Sequence, residues 1–157
     1  MSSFPKTQKI VFIAHLKRNP NFKTREEFWK YWEGHHGPLA APMLSVFGGL
    51  LYQQIQVSGT VVSNQPLPNT RTPTNEVIEF DGIAIFTLAG DADVPGFLNA
   101  LAGNADSEDP KVREQVKYNL EVVKPDELVL LDAKAPGMGV VRVETGNVVG
   151  FDLAPTS

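Results

Sequence analysis

Three histidines, His15, His35 and His36, are the first candidates for chemistry in this chain of 157 residues. An imidazole changes charge near physiological pH, so it can give or take a proton under ordinary conditions. Cysteine is absent. This excludes a thiolate nucleophile, a disulfide and any Cys-based zinc or iron–sulfur site. A histidine acid or base must therefore be one of these three residues.

His35 and His36 follow an aromatic segment and stand directly before Gly37-Pro38. Two imidazoles beside aromatic side chains can supply an acid or base to a flat organic ligand. A structural interpretation is equally available, because histidine near a helix C-terminus hydrogen-bonds to free carbonyl groups. Both interpretations stay open at this point.

A metal site is not predicted, because the side chains of adjacent histidines diverge by about 100° around a helix. His15 is a second candidate acid–base residue, near the end of the first strand. The predicted topology places it near Asp81, Asp126 and Glu127, at the starts of the third and fourth strands. The same topology separates the adjacent histidines from this second centre.

The elements that must position these residues begin with an apolar strand at 9–16. Thr24 and Glu27 have the spacing of a capping box and predict the start of a helix. Gly37-Pro38 predicts its end. The helix carries one apolar stripe with spacing i, i+3, i+4 and i+7, formed by Phe28, Tyr31, Trp32 and His35.

The rest of the chain predicts three more strands and a second helical region. The strands are predicted at 50–58, 82–88 and 128–131, and the helical region at 94–123, with a break near 103–109. Residues 60–77 carry three prolines and predict a long irregular loop, either a functional lid or disordered. The tail predicts a small hairpin of 140–143 with 148–151.

The order β-α-β-β-α-β plus a tail predicts an α+β, ferredoxin-like domain with an antiparallel sheet. One domain is expected over 1–157. Strands one and three are apolar on both faces, whereas a sheet with one wet face alternates apolar with polar residues. Helices can cover one face only. A second copy of the chain is the preferred cover for the other face, and the tail or the long loop is the alternative.

Charge and motifs exclude several classes of function. The net charge is −4 and the 14 basic residues are scattered, which argues against nucleic acid or an anionic membrane as partner. No stretch approaches the roughly 20 apolar residues of a membrane span, and the N-terminus lacks a secretory signal, so a cytoplasmic location is expected. The chain has no Gly-rich phosphate loop, dinucleotide fingerprint or Gly-x-Ser-x-Gly motif, and no cofactor is predicted.

Residues 9–18 and 24–40, ending in His36-Gly-Pro-Leu39, resemble the opening of an EthD-like domain. In that family a strand leads to a helix with spaced aromatic residues and closes on His-x-Pro-Leu, so the characteristic histidine maps to His36. Residues 109–131 match more loosely. The resemblance covers most of 8–133, whereas the loop at 60–77 and the extension at about 137–157 look like additions.

The resemblance implies a homodimer of the dimeric α/β barrel type, with a pocket in each subunit and no cofactor. EthD-like relatives include fungal polyketide-pathway proteins assigned as decarboxylases, dehydratases or cyclases. The leading hypothesis is therefore a lyase-type tailoring enzyme of an aromatic polyketide, with His36 as general acid or base. Seven residues are candidates for substrate binding: Phe28, Trp32, Met43, Tyr52, Gln54, Asp81 and Phe86.

Two other functions remain in competition with this hypothesis. The superfamily also contains cofactor-free monooxygenases of anthrone-like substrates, and oxygen uptake would distinguish such an enzyme from a lyase. A non-catalytic binding protein or stress-response domain belongs to a different class. It would tolerate replacement of His36 with ligand binding intact.

Overall fold

Four strands form the sheet that supports the site. The computed structural model describes residues 9–62, 66–104, 106–132 and the backbone of 140–143. The six strands are β1 Lys9–Leu16, β2 Gly49–Ile55, β3 Gly59–Val62, β4 Val77–Phe80, β5 Gly82–Ala89 and β6 Val140–Val143. The sheet has the order β2-β5-β1-β6, and every neighbouring pair is antiparallel. This is the strand order of a ferredoxin-like α+β fold, as predicted.

The fourth strand of the sheet is β6, and the prediction of a strand at 128–131 is wrong. That segment belongs to a helix, α5 Lys124–Leu130, with Pro125 near its start and two acidic residues in its first turn. These residues favour a helix N-terminal turn, whereas a short apolar run alone does not distinguish strand from helix. β6 lies in the predicted C-terminal extension and pairs with β1. Its predicted hairpin partner, 148–151, lies outside the described residues.

The first helical region continues through Gly37-Pro38, where the sequence predicted its end. Helix α1 Arg25–Tyr31 passes into a π-helical turn, Trp32–His36, and then into α2 Gly37–Val46. Thr24 caps α1 by accepting from the Glu27 amide, as the capping box predicts. In the π-turn the Gly37 amide donates to the Trp32 carbonyl, five residues back. The wider hydrogen-bond pattern lets a proline follow without ending the helix.

The predicted irregular loop at 60–77 is partly ordered as a strand pair. β3 and β4 form a separate two-stranded antiparallel sheet, in register from Gly59 opposite Phe80 to Val62 opposite Val77. The described residues between the two strands, 66–76, contain an isolated antiparallel bridge between Pro66 and Pro73, and residues 63–65 lie outside the description.

The second helical region is interrupted where the sequence predicted. Helix α3 Val94–Ala102 ends at Gly103, whose positive φ of 72° suits glycine, and α4 Pro110–Tyr118 begins after the N-cap Asp109. A second π-helical turn, Asn119–Val123, leads from α4 into α5. Among the described residues, no helix is long and apolar enough to cross a membrane. The cytoplasmic location stays a prediction.

The core lies between the helices and one face of the sheet. Phe12, Ala14, Ala84 and Leu88 point from β1 and β5 into two buried clusters. The alternate residues of the same strands, such as Ile13 opposite Ile85, are only partly buried. The sheet therefore has the second apolar face that the sequence predicts.

Candidate acid–base site

An apolar cavity of about 180 Å³ lies between the helical layer and the sheet. Its walls come from β1, β2, β5, the first π-turn, α2, α3 and α5. Most of the lining is aliphatic or aromatic. The side chains with polar atoms are few: Trp32, His36, Tyr52 and Glu127. A mainly apolar chamber with a few converging polar groups is the usual form of a small-molecule site.

His36 enters this cavity while one of its ring nitrogens is held from behind. Its Nδ1 lies 2.7 Å from Oδ2 of Asp126, and the side chains of both residues are only 8% exposed. An ionised carboxylate only accepts hydrogen bonds, so Nδ1 is the protonated nitrogen of the neutral imidazole. Nε2 is then left with a lone pair, and no described residue forms a hydrogen bond with it. The pair presents a basic nitrogen beside the cavity.

The second oxygen of Asp126 is also occupied. Its Oδ1 accepts a short hydrogen bond from the Tyr31 hydroxyl and lies 3.3 Å from Nε2 of the exposed His35. Desolvation, followed by the hydrogen bond to Asp126 and the charge on that carboxylate, raises the pKa of Tyr31 to about 12. Tyr31 therefore remains a donor across the physiological range. The carboxylate is fixed by three side chains, which restricts the orientation of His36.

A π-helical turn and a short α-helix bring these groups together. The first π-turn carries both histidines, and α5 carries Asp126 in its first turn. π-turns are frequently found at functional sites. Each histidine contacts a different oxygen of the same carboxylate, so adjacent positions in sequence converge on one partner. The two segments pack directly against each other.

Glu127 is the second carboxyl group at the cavity, next to Asp126 in sequence. Burial raises the pKa of Glu127, and the nearby Lys124 and His36 oppose that rise. Unlike Asp126, its carboxyl group has no hydrogen bond or ion pair with any described residue. It therefore differs from its neighbour in its contacts.

The opposite wall is held by a small hydrogen-bonded network. The Tyr52 hydroxyl accepts from Nε1 of Trp32 at 2.9 Å and from Nε2 of Gln54 at 3.0 Å. Gln54 Nε2 also donates to the Trp32 carbonyl at 3.0 Å. Burial raises the pKa of Tyr52, and its ring stacks on Phe86 with centroids 5.3 Å apart. These contacts fix two aromatic surfaces of the cavity.

The structure brings most of the sequence candidates for binding to one place. Trp32, Met43, Tyr52 and Phe86 line the cavity together with His36. The other three do not line it. Gln54 lies in an adjacent open depression and reaches the cavity through Tyr52. Phe28 is buried behind Trp32, with ring centroids 5.7 Å apart.

Asp81 lies away from the cavity, at the corner between β4 and β5. Its carboxylate accepts from the Arg18 amide and from Nε of Arg25, each at 3.0 Å. Its carbonyl accepts from Nε1 of Trp29 at 2.6 Å. These contacts connect the sheet to α1, which is a structural role for Asp81.

The predicted grouping of His15 with Asp126 and Glu127 is wrong. His15 packs edge-on against Phe80, with ring centroids 5.1 Å apart, whereas Asp126 binds the two adjacent histidines. The error follows from α5, because the sequence predicted that the helical region ends at 123 and that a strand follows at 128–131. The proline and the acidic residues of Lys124-Pro-Asp-Glu127 are also typical of a helix start. A helix predicted from them would not have placed the two carboxylates beside His15.

The fold and the site together define a class: a ferredoxin-like α+β domain with an aspartate–histidine pair beside an apolar cavity. Such a pair is suited to acid–base chemistry. Within that class, the family model described as the EthD domain matches residues 23–133. The chain belongs to the EthD domain family. The matched region contains His36, Asp126 and Glu127. No curated protein matches the chain in a direct sequence comparison.

Proposed function

We propose that this protein is a cofactor-free lyase that acts on an aromatic polyketide intermediate by proton transfer at His36. The observation that carries the proposal is the buried 2.7 Å contact between His36 Nδ1 and Asp126 at the wall of an apolar cavity. A histidine oriented by a carboxylate can act as general base through its other nitrogen and return the proton later as general acid.

The chemistry required of the site is modest. A polyketone has carbon-bound hydrogens next to carbonyl groups, and Nε2 of His36 would remove one of them to form an enolate. Asp126 would stabilise the imidazolium that results, because its negative charge lies beside Nδ1. The enolate can then expel a β-hydroxyl group as water, or attack a second carbonyl group to close a ring. In a decarboxylation the enolate forms instead as carbon dioxide leaves a β-keto acid, and the imidazolium of His36 would then protonate it. A positioned acid–base group of this kind contributes about 10²–10⁴-fold to the rate.

Aromatic walls support a flat substrate. Trp32, Tyr52 and Phe86 surround the cavity, and the Tyr52–Phe86 stack is inclined by only 13°. Aromatic surfaces of this kind favour stacking of a conjugated ring. Most of the cavity lining is apolar, and electrostatic interactions with a developing enolate are stronger in such surroundings than in water.

The direct test is incubation of the purified protein, without added cofactor, with a panel of aromatic polyketide precursors followed by mass spectrometry. Loss of water or carbon dioxide by the wild type, and not by His36→Gln, supports the proposal. His15→Gln is the matched control, because His15 packs against Phe80 outside the cavity. Activity retained in His36→Gln would overturn the proposal, and a gain of oxygen would support a cofactor-free oxygenase instead.

We also propose that the functional unit is a homodimer in which the second sheet face is covered by another copy. Ile13, Ile83 and Ile85 lie on that face, beside the half-exposed Leu51 of β2. Burying such a face in a two-fold interface removes its apolar area from water. Sedimentation should give a dimer, and Ile85→Lys should shift it to a monomer. A monomeric wild type at micromolar concentration would contradict this interface.

A further inference from the structure

We infer that Glu127 is a second catalytic residue, the general acid that protonates a departing hydroxyl group, and that the substrate is a cyclic β-hydroxy ketone of one or two rings. The inference rests on the proposed function, because it requires His36 as the base. It specifies dehydration among the possible lyase reactions and assigns the second proton transfer to a named side chain.

The adjacent carboxyl groups of Asp126 and Glu127 have different surroundings. Successive residues on a helix diverge by about 100°, so Asp126 and Glu127 can face different surroundings. Asp126 is directed at the histidines: its carboxylate accepts from Tyr31 and contacts both imidazoles. Glu127 lines the cavity that His36 also lines, and its carboxyl group has no such partner among the described residues. A group placed in this way is available to a ligand.

The electrostatic surroundings of Glu127 also support its role as an acid. The charged and titratable groups that face it are Lys124 on its own helix, Asp126 beside it and His36 from the π-turn, with Tyr52 on the opposite wall. Burial and the Asp126 charge favour the neutral acid, whereas Lys124 and His36 favour the carboxylate. Burial is the largest of these effects, so the pKa of Glu127 is raised. Such a carboxyl group is suited to donate a proton.

The volume of the cavity limits the size of the substrate. A cavity of about 150 Å³ holds benzene in another protein, whereas pockets for drug-sized ligands span about 300–1,000 Å³. At about 180 Å³ the chamber is close to the smaller case. A cavity of this volume corresponds to one ring, and both His36 and Glu127 line it. We therefore limit the inferred substrate to one or two fused rings.

The proposed step balances without any other reactant. Nε2 of His36 takes the proton from the carbon between the carbonyl and the hydroxyl-bearing carbon. The electron pair of that C–H bond forms the new C=C bond, while the C–O bond breaks and its electrons leave with the oxygen. Glu127 protonates that oxygen, so water departs. The product then tautomerises to a phenol, and the imidazolium of His36 returns its proton to the Glu127 carboxylate through solvent.

Two synthetic probes test this assignment: a β-hydroxycyclohexenone, which gives phenol, and its benzo-fused homologue, a β-hydroxytetralone, which gives naphthol. Product formation is followed by ultraviolet absorbance for the wild type, Glu127→Gln and His36→Gln. Deuterium uptake from heavy water into cyclohexenone is measured in parallel, because it needs a base and no leaving group. Glu121→Gln, an exposed change on the preceding π-turn, is the matched control, and thermal unfolding checks each fold.

We expect Glu127→Gln to lower the dehydration kcat by about 10²–10⁴-fold while deuterium exchange is retained. The fall in wild-type rate at high pH, where Glu127 loses its proton, should disappear in this variant. His36→Gln should lose both reactions. Full dehydration activity in Glu127→Gln, with His36→Gln inactive, would overturn the Glu127 assignment alone. Activity in His36→Gln would overturn the proposed function, and failure of the wild type on both probes would overturn the substrate class.

Discussion

Asp81 and Asp126 are two almost fully buried aspartates at separate corners of the domain, and they have very different partners. Asp81 is held by a backbone amide and by the guanidinium of Arg25. Asp126 is held by two imidazoles and a phenol. Arginine does not give up its proton in proteins, whereas imidazole does so near neutral pH. Burial of a carboxylate is thus common to both corners, and the partner decides whether proton transfer is possible.

The two corners also differ in their access to a ligand. Every contact of Asp81 joins protein elements to one another: the end of β1, the start of α1 and the β4–β5 corner. Asp126 stands behind His36, which lines the cavity. The comparison separates a carboxylate that stabilises the fold from one that positions a reactive group. The substitutions below test that separation, beginning with the largest effect.

Asp126→Asn should abolish most activity with little loss of stability. The amide cannot hold the Nδ1–H tautomer or stabilise the imidazolium, so kcat for dehydration should fall by about 10²–10⁴-fold with KM nearly unchanged. Nitrogen NMR of the His36 ring should show a changed tautomer. If kcat and KM keep their wild-type values while the melting temperature falls, Asp126 would be structural, like Asp81.

Asp81→Asn should show the reverse pattern. It removes the charge that Arg25 and the Arg18 amide share, and charged hydrogen bonds of this kind contribute about 2 kcal/mol each. Urea unfolding should register a loss of roughly that size. The kcat of the folded protein should stay at the wild-type level. A large fall in kcat, with stability unchanged, would show instead that Asp81 belongs to the site.

Much of the fold was within reach of the sequence, although the contrast between the two aspartates was not, because patterns formed by residues close together in the chain are strong signals. The Thr24–Glu27 capping box, the β1 strand and the break before Asp109 are set by residues within a few positions of one another. His36 and four of the seven binding candidates also reach the cavity. These residues belong to one aromatic helix and to strands whose alternation fixes the face.

The partner of His36 was out of reach because it depends on a segment 90 positions away. The short apolar run Leu128–Leu131 is equally typical of a strand and of a helix. The strand that was predicted there placed Asp126 and Glu127 near His15. The π-turn was missed for a related reason. A proline after glycine normally ends a helix, and only the hydrogen bond from Gly37 to Trp32 shows that this one continues.

Gly82→Ala tests whether the Asp81 corner can influence the cavity through packing. A Cβ at this position would lie 2.7 Å from Cζ3 of Trp32, whose ring lines the cavity. The ring must shift, at a cost of about 1 kcal/mol. Ligand affinity should therefore fall more than in Asp81→Asn, although Gly82 is the next residue along the chain. Equal affinities for β-hydroxycyclohexenone in the two variants would show that the corners are independent.

Tyr31→Phe should give the smallest effect, and its size depends on pH. The pKa of Tyr31 is raised from 10.0 to about 12, so the folded state holds this proton more tightly than the unfolded chain. The associated stability is complete below pH 10.0 and is lost as pH rises towards about 12. The unfolding free energy of the wild type should therefore fall more steeply over this range than that of Tyr31→Phe. Parallel pH dependences would mean that the hydrogen bond to Asp126 contributes little to folding, and His35 and His36 would then be sufficient to hold the carboxylate in place.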